Sequence, residues 1–266
     1  MTTEGSEDRY LLYLDILGFS EIVKNRRAED IYQILNQCVE AVSELDEGPL
    51  PFSSLYFSDT VVFWHRKAGV YDVAFIYSCV IACKVYCELL AKRIPVRGAI
   101  SYGQFSVRPG PTGKREIFFG KALIEAYEAQ RSESWLGIVV CESAWKPDHS
   151  EPEIEALARF GIWRRRKADK VLLLNPFYRA LERPVLRATE ERWAERVPRL
   201  LGQVMTRADA LGAFRFLMEE SRNYSERGDF SGREAVKYHA TLAFLREVLG
   251  PERFSEMEAE SQQLPR

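Results

Sequence analysis

The sequence predicts an α+β fold: a sheet containing antiparallel pairs, flanked by helices, followed by a helical C-terminal extension. Three observations predict it. Strand-like and helix-like stretches follow one another as β-α-β-β-α-β through the first half of the chain, Ser58-Asp59 alone separates the middle two strand runs, and helix formers dominate from Ala180 onward. A link that short makes a hairpin, so the sheet cannot be all parallel, and the order is close to the ferredoxin-like arrangement.

Arg9 to Ile16 is short, rich in Leu and Tyr, and reads as a buried strand broken by Gly18. A helical stretch follows from Phe19 to about Leu45, interrupted near Asn25, with Ile31, Ile34, Leu35, Cys38, Val39 and Val42 on one face. Asp46-Glu47-Gly48-Pro49 is turn chemistry, and Ser53–Phe57 and Thr60–His65 form the hairpin. Val70 to Arg93 is a long helix, and Pro95 to Tyr102 a strand whose Gly98 and Gly103 suggest close backbone approach or a bulge. Phe105 to Glu116 reads as a loop leading into Ile117–Phe119. Gly120 then opens a helix to about Arg131, and Leu136–Cys141 and Val171–Leu174 are further strands. Helices are expected around Glu190–Leu201, Ala208–Asn223 and Arg233–Leu249. The chain thus divides into a core over 1–176 and a helical extension over 177–266, packing on the core or on a second copy.

Composition excludes several classes. With 37 basic against 39 acidic side chains the net charge is −2, which argues against a dedicated nucleic-acid binder. No partner of that kind is expected. Met1 to Arg9 is polar and acidic, unlike a secretory signal. Phe75 to Ala91 carries Lys84 and Glu88 and is too short to span a bilayer, so a cytoplasmic protein without a membrane partner is expected. Cys79, Cys83 and Cys87 stack on one helical stripe, which without histidine points to buried packing rather than metal. The basic run Arg164 to Lys167 is either a phosphate patch or, preferably, a solvated face.

The chemistry lies in two acids inside apolar runs. "YLLYLDILGFSEIV" carries Asp15 and "SLYFSDTVVFW" carries Asp59, at a strand end and a hairpin bend respectively. If their strands are neighbours, the carboxylates meet at one edge. Two hard oxygen donors there suit Mg²⁺ or Mn²⁺ alongside phosphate oxygens. The glycine turn after Asp15, leading into a helix, offers backbone N–H groups to a polyphosphate. Each acid, taken singly, also reads as a turn cap.

"YLDILGFSEIV" resembles the first signature of class III nucleotidyl cyclases, and "LYFSDTVVFW" their metal-binding hairpin, with Ser58 where a Gly is usual. "PVRGAISYGQF" resembles their following strand and "FFGKALIEAYEAQ" the helix that carries their transition-state residues. The likeness covers roughly residues 9 to 142. It implies a ferredoxin-like cyclase core with Asp15, Asp59 and the Ile16 carbonyl as ligands to two Mn²⁺ or Mg²⁺ ions. It also implies that Gly18, Phe19 and Ser20 cradle phosphates and that a head-to-tail homodimer shares its active sites. The reaction would be attack of the ribose 3′-oxygen on the α-phosphorus, releasing pyrophosphate.

Where adenylate cyclases place a Lys four residues before the second acid, this chain has Leu55, followed by Tyr56. The chain therefore resembles most the pyrimidine cyclases of Pycsar antiphage systems. These imply UTP as substrate, cyclic UMP as product, Tyr56 at the base and a separately encoded effector that answers to the product. Tyr56 reads equally as a core aromatic. The positions of the family's Asn and Arg are Ile124 and Glu128, which cannot stabilise phosphoryl charge. Candidate substitutes are Arg97, Lys121, Arg131, Lys114 and Arg115, with Arg97 able to reach base or phosphates from its strand and Lys121 placed with the substrate-binding group. A cytidylate or guanylate cyclase and a non-catalytic nucleotide-binding regulator stay open. A GGDEF-type relative is disfavoured by "YFSDT" at the hairpin.

Overall fold

The structure is a computed structural model that describes residues 7–46, 52–65, 71–110, 116–145, 163–166, 171–177, 207–228 and 232–264. Its strands are β1 (Glu7–Ile16), β2 (Phe52–Phe57), β3 (Thr60–His65), β4 (Val96–Pro109), β5 (Glu116–Phe119), β6 (Ile138–Val140), β7 (Trp163–Arg165) and β8 (Leu172–Leu174). Its helices are α1 (Phe19–Asn25), α2 (Ala28–Asp46), α3 (Tyr71–Ala91), α4 (Lys121–Ser132), α5 (Glu142–Trp145), α6 (Arg207–Glu226), α7 (Arg233–Leu249) and α8 (Pro251–Gln262).

The sheet runs β2-β3-β1-β4-β6-β8-β7, with β5 folded back on β4. Its first four strands are mutually antiparallel neighbours, so β1 and β2 run parallel with β3 slid between them, the split β-α-β of the ferredoxin-like pattern. The α+β expectation holds, and the strand beside β1 is the second arm of the hairpin. β6 joins β4 in parallel, and β8 and β7 continue antiparallel.

Alternation along β1 serves both faces. Tyr10, Leu12, Leu14 and Ile16 join the core beneath α3, whereas Leu11 and Tyr13 join a second core beneath α4. Asp15 continues the second set. α3 is apolar on all sides because the sheet covers one side and α2 and α6 the other; its Cys79, Cys83 and Cys87 are fully buried and their thiols pushed up by burial. Burial in the core accounts for that stripe. No helix among the described residues is long and apolar enough to cross a membrane.

Gly98 meets its expected close approach: a Cβ there would stand 2.3 Å from the Tyr13 carbonyl oxygen. Gly103 does not; nothing lies within 4 Å of its Cβ position. The loop expected over Phe105–Glu116 is strand as far as Pro109, because that stretch pairs with Glu116–Phe119. Arg164 and Arg165 of the basic run lie in β7 at a sheet edge and Arg166 follows it, each with its charge engaged, while Lys167 lies outside the described residues. Arg164 meets Glu247, Arg165 lies over the Trp145 ring, and Arg166 grips Glu133. The helix expected at Glu190–Leu201, like Lys114 and Arg115, lies outside the described residues. α8 is an element the sequence did not announce; Pro251 at its first turn and Gly250 before it mark its start.

The C-terminal helices pack on the chain's own core rather than standing apart. Phe214 and Leu217 of α6, Tyr238 and Leu245 of α7 and Phe254 and Met257 of α8 are buried in the same cluster as α3. α7 crosses the end of the sheet at which β1 finishes and β4 and β6 begin. There Thr241 Oγ1 accepts from the Leu136 N–H at 2.8 Å and donates to the Leu136 carbonyl at 3.1 Å, and Phe244 lies 4.6 Å from Trp135 between ring centroids.

Candidate active site

The two acids meet at the end of β1. Asp15 stands opposite Thr60 in the ladder, and the Ile16 N–H donates to the Asp59 carbonyl at 2.7 Å, fastening the hairpin turn to the strand end. The turn is tight. Ser58, its first residue, takes a left-handed φ of 55°, a conformation that favours glycine. This accounts in physical terms for the Gly that the resemblance leads one to expect at that position.

Asp15 is gripped. Its Oδ2 accepts from Arg97 Nε at 2.9 Å and from the Gln130 amide at 2.8 Å. Arg97 sits opposite Asp15 on β4, and its Nη1 donates to the Glu133 carbonyl at 3.1 Å. Glu133 in turn takes both guanidinium nitrogens of Arg166, at 2.6 and 2.9 Å. Burial pushes the Asp15 carboxyl above the usual carboxylate range; the Arg97 hydrogen bond and charge pull it down, and Asp59 pushes it up again.

Asp59 is half-buried, and no described residue hydrogen-bonds to its carboxylate. The site therefore offers Asp59 entirely and Asp15 through Oδ1. Among the described residues no cluster of three or more His, Cys, Asp or Glu ligands occurs. Two carboxylates with room for water and phosphate oxygens fit a small hard cation that keeps much of its coordination for water and substrate. They do not fit a closed protein cage.

Around this pair the expected residues fall unequally. Gly18, with φ of 72°, turns the chain directly after β1, and its carbonyl accepts from Glu21 and Ile22. Phe19 is buried, and Ser20 is exposed at the start of α1. Leu55, in the adenine-reading position, packs on the α4-side core and so shares the face of Asp15. Tyr56 does not: it packs on the α3-side core, its ring edge-on to Phe63 at 6.4 Å. The geometry favours its core role. Lys121 is exposed at the first position of α4, and Arg131 lies over the Tyr127 ring. Ile124 and Glu128 are both on the exposed side of α4, Ile124 at 58%.

Some neighbours of Asp15 were not singled out in the sequence. Gln130 completes a stripe at four-residue spacing with Ala122 and Ala126, the buried face of α4, and that spacing was a usable signal. Tyr13 donates to or accepts from Thr60 at 3.1 Å beside the acids. Lys237, from α7, is 4% exposed and lies within electrostatic reach of Asp15 and Arg97. Burial first, then Arg97 and Arg233, hold its ammonium down to about 8.

No protein-family model matches the chain, and no curated protein matches its sequence. Among solved structures it is similar to the adenylyl cyclase CyaB from P. aeruginosa, at 12% identity and a TM-score of 0.46, over 63% of this chain and 91% of that one. It is likewise similar to the guanylate cyclase domain of RhGC from Catenaria anguillulae in complex with GTP, at 11% identity and a TM-score of 0.46, over 63% and 94%. A bacterial light-regulated adenylyl cyclase matches at 12% identity and a TM-score of 0.44, over 75% and 98%.

Proposed function

We propose that the chain is a metal-dependent nucleotide cyclase, with UTP as its substrate and 3′,5′-cyclic UMP and pyrophosphate as its products. One observation carries this proposal: two carboxylates, Asp15 and Asp59, converge at a strand end directly before a glycine turn. The resemblance of both signatures to class III nucleotidyl cyclases supports it.

Asp15 Oδ1, the Asp59 carboxylate and the Ile16 carbonyl would hold one or two Mg²⁺ or Mn²⁺ ions. A divalent ion so held acidifies the ribose 3′-hydroxyl and offsets triphosphate charge. The chain's own residues do the rest. The N–H groups at Gly18, Phe19 and Ser20 face a first helical turn that leaves them without helical acceptors, so they are available to phosphate oxygens. α1 has seven residues, so its contribution is local N–H groups rather than a strong dipole. Arg97 orients Asp15 and carries the positive charge nearest to it. In the reaction the 3′-oxygen forms a bond to the α-phosphorus, the bond from that phosphorus to the bridging oxygen breaks, pyrophosphate leaves, and the hydroxyl proton passes to solvent.

Exposed apolar side chains support pairing of two copies. Ile124 and Tyr127 lie three residues apart on α4, Ile117 and Phe119 alternate on β5, and Phe57 at the hairpin is 75% exposed. A homodimer with shared active sites would cover them. Leu55, which leaves no ammonium to read adenine, argues against ATP, and the choice of UTP rests on the Pycsar resemblance. A role in antiphage defence, through a separate effector that binds the product, rests on the Pycsar resemblance.

A second function has its own observation. Ile124 and Glu128 supply no transition-state donor from α4, as expected of a regulator that binds nucleotide without turning it over. Incubation with each of the four NTPs and Mn²⁺, with mass spectrometry of the products, separates the two. Cyclic UMP is the expected product. A different cyclic nucleotide reassigns the base, and binding without product establishes the regulator.

A further inference from the structure

The proposed site needs positive charge at Asp15 and negative charge at the Gly18 turn, and α7 brings one side chain of each sign to those places. Glu234 Oε1 lies 3.6 Å from the point at which a Cβ on Gly18 would stand. Its Oε2 accepts a 2.9 Å hydrogen bond from the Tyr224 hydroxyl of α6, so the carboxylate is held there rather than trailing in solvent. Lys237, three residues on and hence on the same helical face, is buried and within electrostatic reach of Asp15 and Arg97. Farther along that face Thr241 and Phe244 anchor the helix to the segment before β6.

A triphosphate carries several negative charges. Placed at the Gly18 turn it would meet a fixed carboxylate, and a metal ion at Asp15 would meet a buried ammonium. Like charges that close repel, the more so where water is partly excluded. The nucleotide and the first turns of α7 therefore compete for the same ground. We infer that α7 occludes the nucleotide site of the substrate-free chain, with Glu234 standing at the Gly18 turn where a phosphate would and Lys237 adding positive charge on the same helical face. Metal-nucleotide binding then requires the N-terminal turns of α7 to withdraw. Gly232 and Gly250 flank the helix, and the Thr241 and Phe244 contacts mark the end that stays.

This inference rests on the nucleotide-site proposal, and its test keeps the two apart. Binding of the four 3′-deoxy-NTPs, which cannot cyclise, is measured with Mn²⁺ on the full chain for wild type, Glu234→Gln, Tyr224→Phe and Asp59→Ala, with melting curves to verify folding. Glu234→Gln should bind roughly tenfold more tightly than wild type, the scale of one removed charge repulsion, and Tyr224→Phe should shift affinity the same way by less. Hydrogen exchange in 233–249 should accelerate when the Mn²⁺–nucleotide is added. If the wild type binds nucleotide through Asp59 but Glu234→Gln binds no tighter, or exchange in 233–249 slows, occlusion is overturned and the site proposal survives. If neither wild type nor Glu234→Gln binds any nucleotide, both are overturned.

Discussion

Asp15 and Asp59 are chemically alike, and the structure separates them sharply by what each would cost to remove. Asp59→Ala deletes a half-buried carboxylate that no described residue bonds to. It also lifts a repulsion from Asp15. The expected stability change is within about 0.5 kcal/mol of zero, as for substitutions outside packed or networked positions. Asp15→Ala instead strips the partner from Arg97 and from the Gln130 amide, both buried. Breaking a buried pair costs about 3–5 kcal/mol. Side-chain exposures of 10% for Arg97 and 19% for Asp15 put this one at the low end. We expect about 3 kcal/mol, which for a chain of this size lowers the melting temperature by about 6–12 °C. Both variants should lose NTP cyclisation. Scanning calorimetry or denaturant melts, run beside the product assay, read the two effects separately. An Asp59→Ala variant that melts like Asp15→Ala would show that Asp59 is a structural cap, and one that still cyclises NTP would remove it from the site.

Two further predictions follow from buried groups. His65 donates from Nε2 to the Ala74 carbonyl at 3.1 Å, its Nδ1 is buried without an acceptor or donor among the described residues, and burial lowers its pKa to about 4. Because the folded value is depressed below the unfolded 6.5, stability present above pH 6.5 should fall as pH drops toward 4, by on the order of 3 kcal/mol, and His65→Gln should flatten that slope in urea melts. Gly98→Ala would drive a Cβ to within 2.3 Å of the Tyr13 carbonyl oxygen in the neighbouring strand. It should cost more than about 3 kcal/mol or abolish soluble expression, and a loss below about 1 kcal/mol in the same melts would mean that β1 and β4 can separate there.

Much of this architecture was legible because local signals agreed with tertiary ones. A polar residue inside an apolar run is conspicuous, so Asp15 and Asp59 stood out, and the two-residue hairpin fixed the antiparallel pairing around them. The break near Asn25 was readable, and the structure places it at Arg26-Arg27 between α1 and α2. The end of β4 was not. Phe105 to Pro109 is extended because Glu116–Phe119 pairs with it, and composition there points to a loop. The same reason hid half of the site. Gln130 reaches Asp15 across 115 positions, and its place on the buried stripe of α4 marks it as inward-facing without naming its partner, while Lys237 arrives from a helix that looked like an appendage. Tyr56 shows the converse. Its position in a signature was plain, but strand alternation sends it to the α3 side while Leu55 takes the side of Asp15.

The hairpin turn offers a case in which strain and chemistry can be weighed against each other. Ser58 is exposed and holds φ at 55°, where a non-glycine residue pays roughly 1–2 kcal/mol. Glycine would relieve this but lose about 0.4–1 kcal/mol through the greater freedom of its unfolded chain. Ser58→Gly should therefore raise stability by about 0.5 kcal/mol, while the β-branched Ser58→Val should lower it by more than about 1 kcal/mol. Neither change touches the Asp59 carboxylate directly. Its backbone carbonyl stays bonded to the Ile16 N–H, so in Ser58→Gly the acid keeps its place and turnover should stay within twofold of wild type. Denaturant midpoints and NTP turnover for the pair decide the matter. If Ser58→Gly proves less stable than wild type, the serine side chain makes a contact that outweighs its backbone strain. If it is more stable but inactive, stiffness at this turn, rather than the anchoring of Asp59 to β1, is what aims the carboxylate.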